Sequence, residues 1–211
     1  MIGHLDCSTG VSGDKFLGAV LDAGAVSGAF TARDLQEIVS ALAPEARVVA
    51  EDRRSHGISA VGVRVESSGE PGSRTWRDIR SAITGAALPN AVRDRSLRAF
   101  ELLAGVEAAI HGTSVDDVHF HEVGGLDSIM DVVGVCAGLS ALGVERLHST
   151  PVATGWGTVG TSHGMLPVPA PATAALLVGV PVVPGPTRPG GCAPGELTTP
   201  TGAALLRVTV D

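Results

Sequence analysis

Apolar residues recur at helical spacing in several windows of the chain and at alternating positions in others. Phe16, Leu17, Val20 and Leu21 fall on one helical face, which predicts a helix from Lys15 to Ala23 with Gly24 as its stop. Ahead of it, Ile2 to Asp6 reads as a short buried strand ended by the turn-forming run STGVSGD. Thr31 precedes the amphipathic stretch ARDLQEIVSAL, with Asp34 three residues on, the signature of a capped helix start. ISAVGVRVE, Ile58 to Glu66, carries β-branched residues at period two and predicts a strand, followed by the surface loop SSGEPGS. Thr75 caps a helix over WRDIRSAI. Pro89 opens a long helix to about Ile110 that turns Val92, Leu97, Phe100, Leu103 and Ala104 inward.

Ser114 caps a short turn, VDDV, and His119 to Glu122 reads as extended. Ser128 to Leu142 is an apolar helix burying Ile129, Val132, Val133 and Cys136, and Leu147 to Val152 is a strand. GWGTVGTSHG reads as a glycine loop, Pro171 starts a helix over ATAALLVG, and GELTTPTGAALL is a turn opening an apolar helix. Strands alternating with helices predict a single α/β domain, with a mixed α+β arrangement as the alternative. Its N-terminus is strand–loop–helix and its last third is rich in turns.

Composition narrows the function classes. Of 211 residues, 44% are apolar and 18% charged, enough for a sizeable core and too apolar for a disordered chain. A net charge of −7 supplies no electrostatic footprint for nucleic acid or an anionic membrane. No apolar run approaches the roughly 20 residues that span a bilayer, and MIGHLDCSTG lacks a signal-peptide core. Cys7, Cys136 and Cys192 are too few and too scattered for a disulfide framework. A cytoplasmic protein is the expectation.

Against that low charge, VHFHEVGGLDSIMDVVG (residues 118–134) gathers His119, His121, Glu122, Asp127 and Asp131. In an extended segment His119 and His121 point the same way, a bidentate arm for nickel, zinc, copper or iron. Asp127 and Asp131 share a face of the helix that follows, and Asp127 sits near its positive N-terminus. Glu122 and Asp127 can hydrogen-bond ligating imidazoles. The alternative is a core histidine and a plain helix cap.

LDCSTGVSGD leads a strand through a glycine turn into a helix, where backbone N–H groups attract an anion, or Asp6 and Asp14 hold a divalent cation instead; the alternative is a tight turn with Asp14 as helix cap. It lacks the G-x-x-x-x-G-K-[ST] spacing. GWGTVG matches G-x-G-x-x-G only formally, with no helix after it and no ribose-binding acid downstream. His163, beside Gly164, either approaches a ligand or caps a turn. Glu196, with Thr199 and Thr201 of TTPTG, forms either a phosphate or carboxylate cradle or a capping cluster. Cys7 is either a soft ligand or a small buried residue.

DCSTGVSGDKFLGAVLDAG, RTWRDIRSAI, HGTSVDDVHFHEVGGLDSIMDVVG, HGMLPVPAPATAALLVGVP and ELTTPTGAALL, in this order, resemble the nickel insertion proteins of the lactate racemase pincer-cofactor pathway. The resemblance covers nearly the whole chain. It implies insertion of Ni(II) into pyridinium-3,5-bisthiocarboxylic acid mononucleotide, with CTP consumed in the presence of Mg or Mn, to make the nickel-pincer nucleotide that lactate racemase uses. The resemblance does not itself assign roles; by side-chain chemistry His119, His121, Glu122 and Asp127 are the candidates for catalysis, with His119, His121 and Asp131 holding nickel. Asp6, Ser12, Gly13, Asp14, His163, Glu196, Thr199 and Thr201 would face the nucleotide or its cation. ESSGEPGS lacks the histidine-rich tract that many members carry there, and Lys15 stands where the family usually has Met. Full-length members continue into a CTP-binding half, so this chain reads as the N-terminal part, needing that half as a partner and forming a homo-oligomer. The other function classes are a nickel carrier without turnover and a metal-dependent hydrolase.

Overall fold

The computed structural model describes residues 1–55, 57–67, 74–120, 123–187 and 195–211. The chain opens with β1 (Ile2–Leu5), which runs through a glycine turn into α1 (Gly13–Ser27). Next come α2 (Ala32–Leu42), the hairpin strands β2 (Arg47–Ser55) and β3 (Ile58–Glu66), the short β4 (Arg74–Thr75) and α3 (Trp76–Gly85). The long α4 (Asn90–His111) leads through a single 3-10 turn to β5 (His119–Phe120) and α5 (Leu126–Ala141). The remainder is β6 (Arg146–Ser149), β7 (Val152–Ala153), β8 (Gly155–Trp156), β9 (Thr158–Thr161), β10 (Gly164–Pro167), α6 (Pro171–Leu176), β11 (Val182–Val183), β12 (Gly195–Glu196) and α7 (Pro200–Thr209).

This is a mixed α/β fold whose helices carry the core and whose strands pair two by two. β1 lies parallel to β6 and β7 parallel to β11, while the β2–β3, β4–β5, β9–β10 and β8–β12 pairs are antiparallel. α5 is buried along most of its length and packs against α1, α2, α4 and α7. α4 contacts α3, α5, α6 and α7 through Ala99, Phe100, Leu103 and Ala104, so these helices share one apolar cluster. α1 lies between α5 and the β2–β3 hairpin. That hairpin runs in register from Arg47 opposite Glu66 to Ser55 opposite Ile58. Val61, Val63 and Val65 pack on the core, while Glu51 bridges Arg53 and Arg64 on the solvent side.

Four expectations from the sequence need correction. The first helix does not stop at Gly24; it continues to Ser27 and ends at Gly28, whose φ is 71°. Gly24 is there for close packing, since a Cβ would fall 2.3 Å from the Phe30 carbonyl oxygen. β1 is half exposed, with Ile2 58% accessible, because among the described residues it pairs on one side only, with β6. The strand expected from Leu147 to Val152 is two strands separated at Thr150–Pro151, where proline cannot continue a ladder. GWGTVGTSHG is not an open loop: it supplies β8 and β9 and turns into β10. Arg47–Ser55 is a strand without a clear sequence signal, because its charged outer face hides the alternation.

Candidate functional site

The glycine turn after β1 and the TTPTG turn before α7 are joined by backbone. Thr199 N–H donates to the Val11 carbonyl at 3.1 Å, and Val11 N–H to Thr198 Oγ1 at 3.2 Å. Thr198 Oγ1 in turn donates to the Ala153 carbonyl at 2.7 Å. Gly202 lets the two turns touch, because a Cβ there would fall 2.2 Å from the Val11 carbonyl oxygen. The N-termini of α1 and α7 therefore lie side by side. α5 packs against both helices and brings a third N-terminus to the same place.

Between these ends lies a cavity of 510 Å³, lined by Ser12, Gly13 and Asp14 from α1, Asp127, Ser128 and Asp131 from α5, and Glu196, Thr199, Pro200 and Thr201 around α7. Val63, Arg64 and Val65 of β3 form its rim, with Leu17 and Val123. Backbone N–H groups left over at helix starts and the helix dipoles favour an anion here. The carboxylates favour a cation. A cavity with both suits an anionic ligand that arrives with a metal ion.

Asp131 is the carboxylate most changed by its setting. It sits against Gly13, where a Cβ would fall 2.6 Å from its Oδ2. Burial, then the charges of Asp14 and Asp127, push its pKa up to about 8, and Lys15 offsets this only partly. At neutral pH it holds its proton. Ser12 Oγ donates to Asp14 Oδ1, and Lys15 Nζ donates to Ser12 Oγ at 3.0 Å. Thr199 caps α7 by accepting from Gly202 N–H at 3.2 Å, and the Thr201 side chain is buried just inside. Among the described residues, no three His, Cys, Asp or Glu side chains are grouped closely enough to hold a metal ion.

A model of the nickel insertion protein family matches residues 4–211, a span that includes every cavity residue named above. The chain belongs to this family. It is 48% identical to the pyridinium-3,5-bisthiocarboxylic acid mononucleotide nickel insertion protein of Nocardioides sp., over 96% of this chain and 49% of that protein. Proteins of the same name from Desulfitobacterium hafniense and Staphylococcus saprophyticus are 40% and 37% identical, over 96% and 97% of this chain. The chain spans about half the length of these nickel insertion proteins. No solved structure matches it.

Of the residues singled out in this family member's sequence, Ser12, Gly13, Asp14, Asp127, Asp131, Glu196, Thr199 and Thr201 meet at the cavity. Three others do not line it. His119 is exposed on β5 opposite Thr75, near Asp78, because Phe120 takes the inward position and packs edge-on to Phe100 at 6.2 Å. Asp6 is fully exposed and holds the turn instead, accepting from Ser8 N–H at 2.9 Å; the Ser8 hydrogen bonds keep its pKa below the usual carboxylate value. His163 lines a neighbouring cleft. His121 and Glu122 lie outside the described residues, directly before the cavity residue Val123. Cys7 is buried, burial followed by the Asp6 charge pushes its thiol up to about 11, and it does not line the cavity. Sequence reasoning missed Ser128 and Arg64. Arg64 had a signal, as the polar position between two valines of an alternating strand; Ser128 had only its place in the first turn of an apolar helix. Among the described residues no helix is long and apolar enough to cross a membrane.

Proposed function

We propose that this chain acts in nickel insertion into pyridinium-3,5-bisthiocarboxylic acid mononucleotide, and that the acid-lined cavity is where its nucleotide and metal meet. The observation that carries this reading is the convergence of three helix starts with Asp14, Asp127 and Asp131 on one cavity. Its 510 Å³ lies within the roughly 300–1,000 Å³ typical of small-molecule sites. The mononucleotide brings a phosphate and two thiocarboxylates. An anion of that kind enters an acidic cavity only with its charge balanced, and Ni(II) supplies the balance. The phosphate lies against the N–H groups at Ser12–Asp14 and that of Thr201, since the Thr199 N–H is taken by the Val11 carbonyl.

Forming the carbon–nickel bond breaks a ring C–H bond, and its proton needs an acceptor. Asp131 takes this role once the arriving cation has displaced its own proton. Asp127 and Asp14 hold the cation, with His121 and Glu122 as further donors of nitrogen and oxygen. His119 and Asp6, which lie outside the cavity, act at most in metal approach and in holding the turn. CTP, with its Mg or Mn ion, is handled by a second half such as the longer relatives contain. The product passes to lactate racemase or an enzyme like it, and the working unit is a homo-oligomer in the cytoplasm.

A nickel carrier without turnover is the second reading. One experiment separates the readings. The chain is mixed with Ni(II), CTP, Mg and the mononucleotide, with and without the C-terminal half of a longer relative, and the nickel complex is followed by absorbance and mass. Nickel complex formed only when both halves are present supports the reading. Nickel bound but no complex under either condition supports the carrier. Turnover of simple phosphoesters without nickel would point to a hydrolase instead.

A further inference from the structure

Beside the acid-lined cavity, a smaller cleft of 150 Å³ lies between the end of α4 and the β9–β10 hairpin. His111 and His163 meet in it, with ring centroids 4.9 Å apart and ring planes tilted by 51°. His111 ends α4, and its Nε2 lies 3.3 Å from Oε2 of Glu107, one helical turn earlier. The His111 side chain is 29% exposed and that of Glu107 16%. His163 sits in the turn between β9 and β10, where its N–H donates to Thr161 Oγ1 at 3.1 Å and Thr161 Oγ1 donates to the Gly164 carbonyl at 3.0 Å. Ile110, Val159 and Leu166 make the rest of the wall largely apolar, and Glu196 and Pro200 line both the cleft and the cavity.

Two imidazoles on separate elements are a common start for a transition-metal site, and a carboxylate on one nitrogen fixes the ring and leaves the other nitrogen as ligand. The spacing fits. A metal–nitrogen distance of ~2.0–2.1 Å with ~1.2 Å from nitrogen to ring centre puts each centroid ~3.2 Å from the ion, and a cis angle of ~100° then separates the centroids by ~4.9 Å. Hard cations such as Mg²⁺ take oxygen ligands and gain little from this pair. A site with two protein nitrogens leaves its other positions to exchangeable water, which suits binding and release rather than storage.

We propose that His111 and His163 form a docking site for a divalent transition-metal ion, with Glu107 orienting His111 and Glu196 facing the ion's route into the acid-lined cavity. Nickel as the cargo rests on the function proposed above; the metal site itself does not.

The test uses Ni²⁺ alone, added to the chain with its histidines isotopically labelled. Paramagnetic broadening reaches the ring signals of His111 and His163 first. By calorimetry, His111→Ala and His163→Ala each weaken the tightest nickel event at least ten-fold, and Glu107→Gln weakens it by a smaller factor. Sharp His111 and His163 signals while other histidines broaden, or an unchanged isotherm in the double alanine variant, overturns the site and leaves the two rings as a packing contact. The labelled wild-type chain gives this answer even where a variant fails to fold. A chain that broadens at this pair yet binds no mononucleotide sinks the function proposed above and leaves the metal site standing.

Discussion

Asp131 concentrates the chemistry of the cavity in one residue. Unfolded, its carboxyl ionises near the ordinary value of 3.8; folded, burial and two neighbouring carboxylates hold it at about 8. Between these values the folded chain keeps a proton that the unfolded chain has lost. Its effect on stability therefore becomes less favourable as pH rises through that window, and the full cost is present above about 8. Asp131→Asn removes the charge while keeping the shape. It raises the melting temperature at pH 8–9, by roughly 2–4 °C for each kcal/mol recovered in a chain of this size, and it abolishes nickel insertion while Asp14 and Asp127 still bind the cation. Thermal unfolding at pH 5 and pH 9 checks this: a gain no larger at pH 9 than at pH 5, or a loss at pH 9, would show that Asp131 is not strained by its charge. Metal uptake linked to proton release follows from the same residue. Nickel affinity for the cavity rises between pH 6 and pH 9, and calorimetry in buffers of different ionisation enthalpy reads the released proton. Pairing Asp127 with Asp131 on one helix face was legible from their spacing. The proton on Asp131 was not, because it depends on Gly13 and Asp14, which arrive from a distant part of the chain.

At the scale of elements, start signals were read well and stop signals poorly. Thr31 with Asp34 and Thr75 with Asp78 both form complete capping boxes, as the sequence spacing indicates. Asp34 and Asp78 are held below the usual carboxylate value by the threonine hydrogen bonds. A cap is a local bond between near neighbours, so local sequence reveals it. Gly24 misled because a glycine chosen for packing against Phe30 looks the same in sequence as one chosen for a left-handed stop. The β2 strand escaped because its outer face carries Glu51, Arg53 and their partners. The caps make a clean contrast for experiment. Thr31→Ala costs about 1 kcal/mol of stability and leaves ligand binding unchanged. Thr199→Ala costs a similar amount but also weakens mononucleotide binding, since Thr199 caps α7 at the cavity. Denaturant titration and calorimetry on both variants decide it; equal binding in the two would place α7 outside the site.

For the whole molecule, the site is assembled by turns distant in sequence that the core holds together. The turn after β1 and the turn before α7 are stitched through Val11, Thr198 and Thr199, and α5 brings its acids up against them. In sequence these residues fall in separate groups, and the histidine arm stands out as the densest cluster of ligand types. The fold keeps the acids and glycine turn together and turns His119 away, because β5 gives its inward position to Phe120. Long-range packing made that choice, and no spacing within residues 118–134 encodes it. The most direct measurement is calorimetric titration of the mononucleotide with Ni(II) into the wild-type chain, Thr201→Val and His119→Ala. A cavity built on the three helix starts predicts that Thr201→Val weakens binding at least ten-fold and His119→Ala leaves it within about two-fold. Binding lost in His119→Ala and retained in Thr201→Val would contradict it.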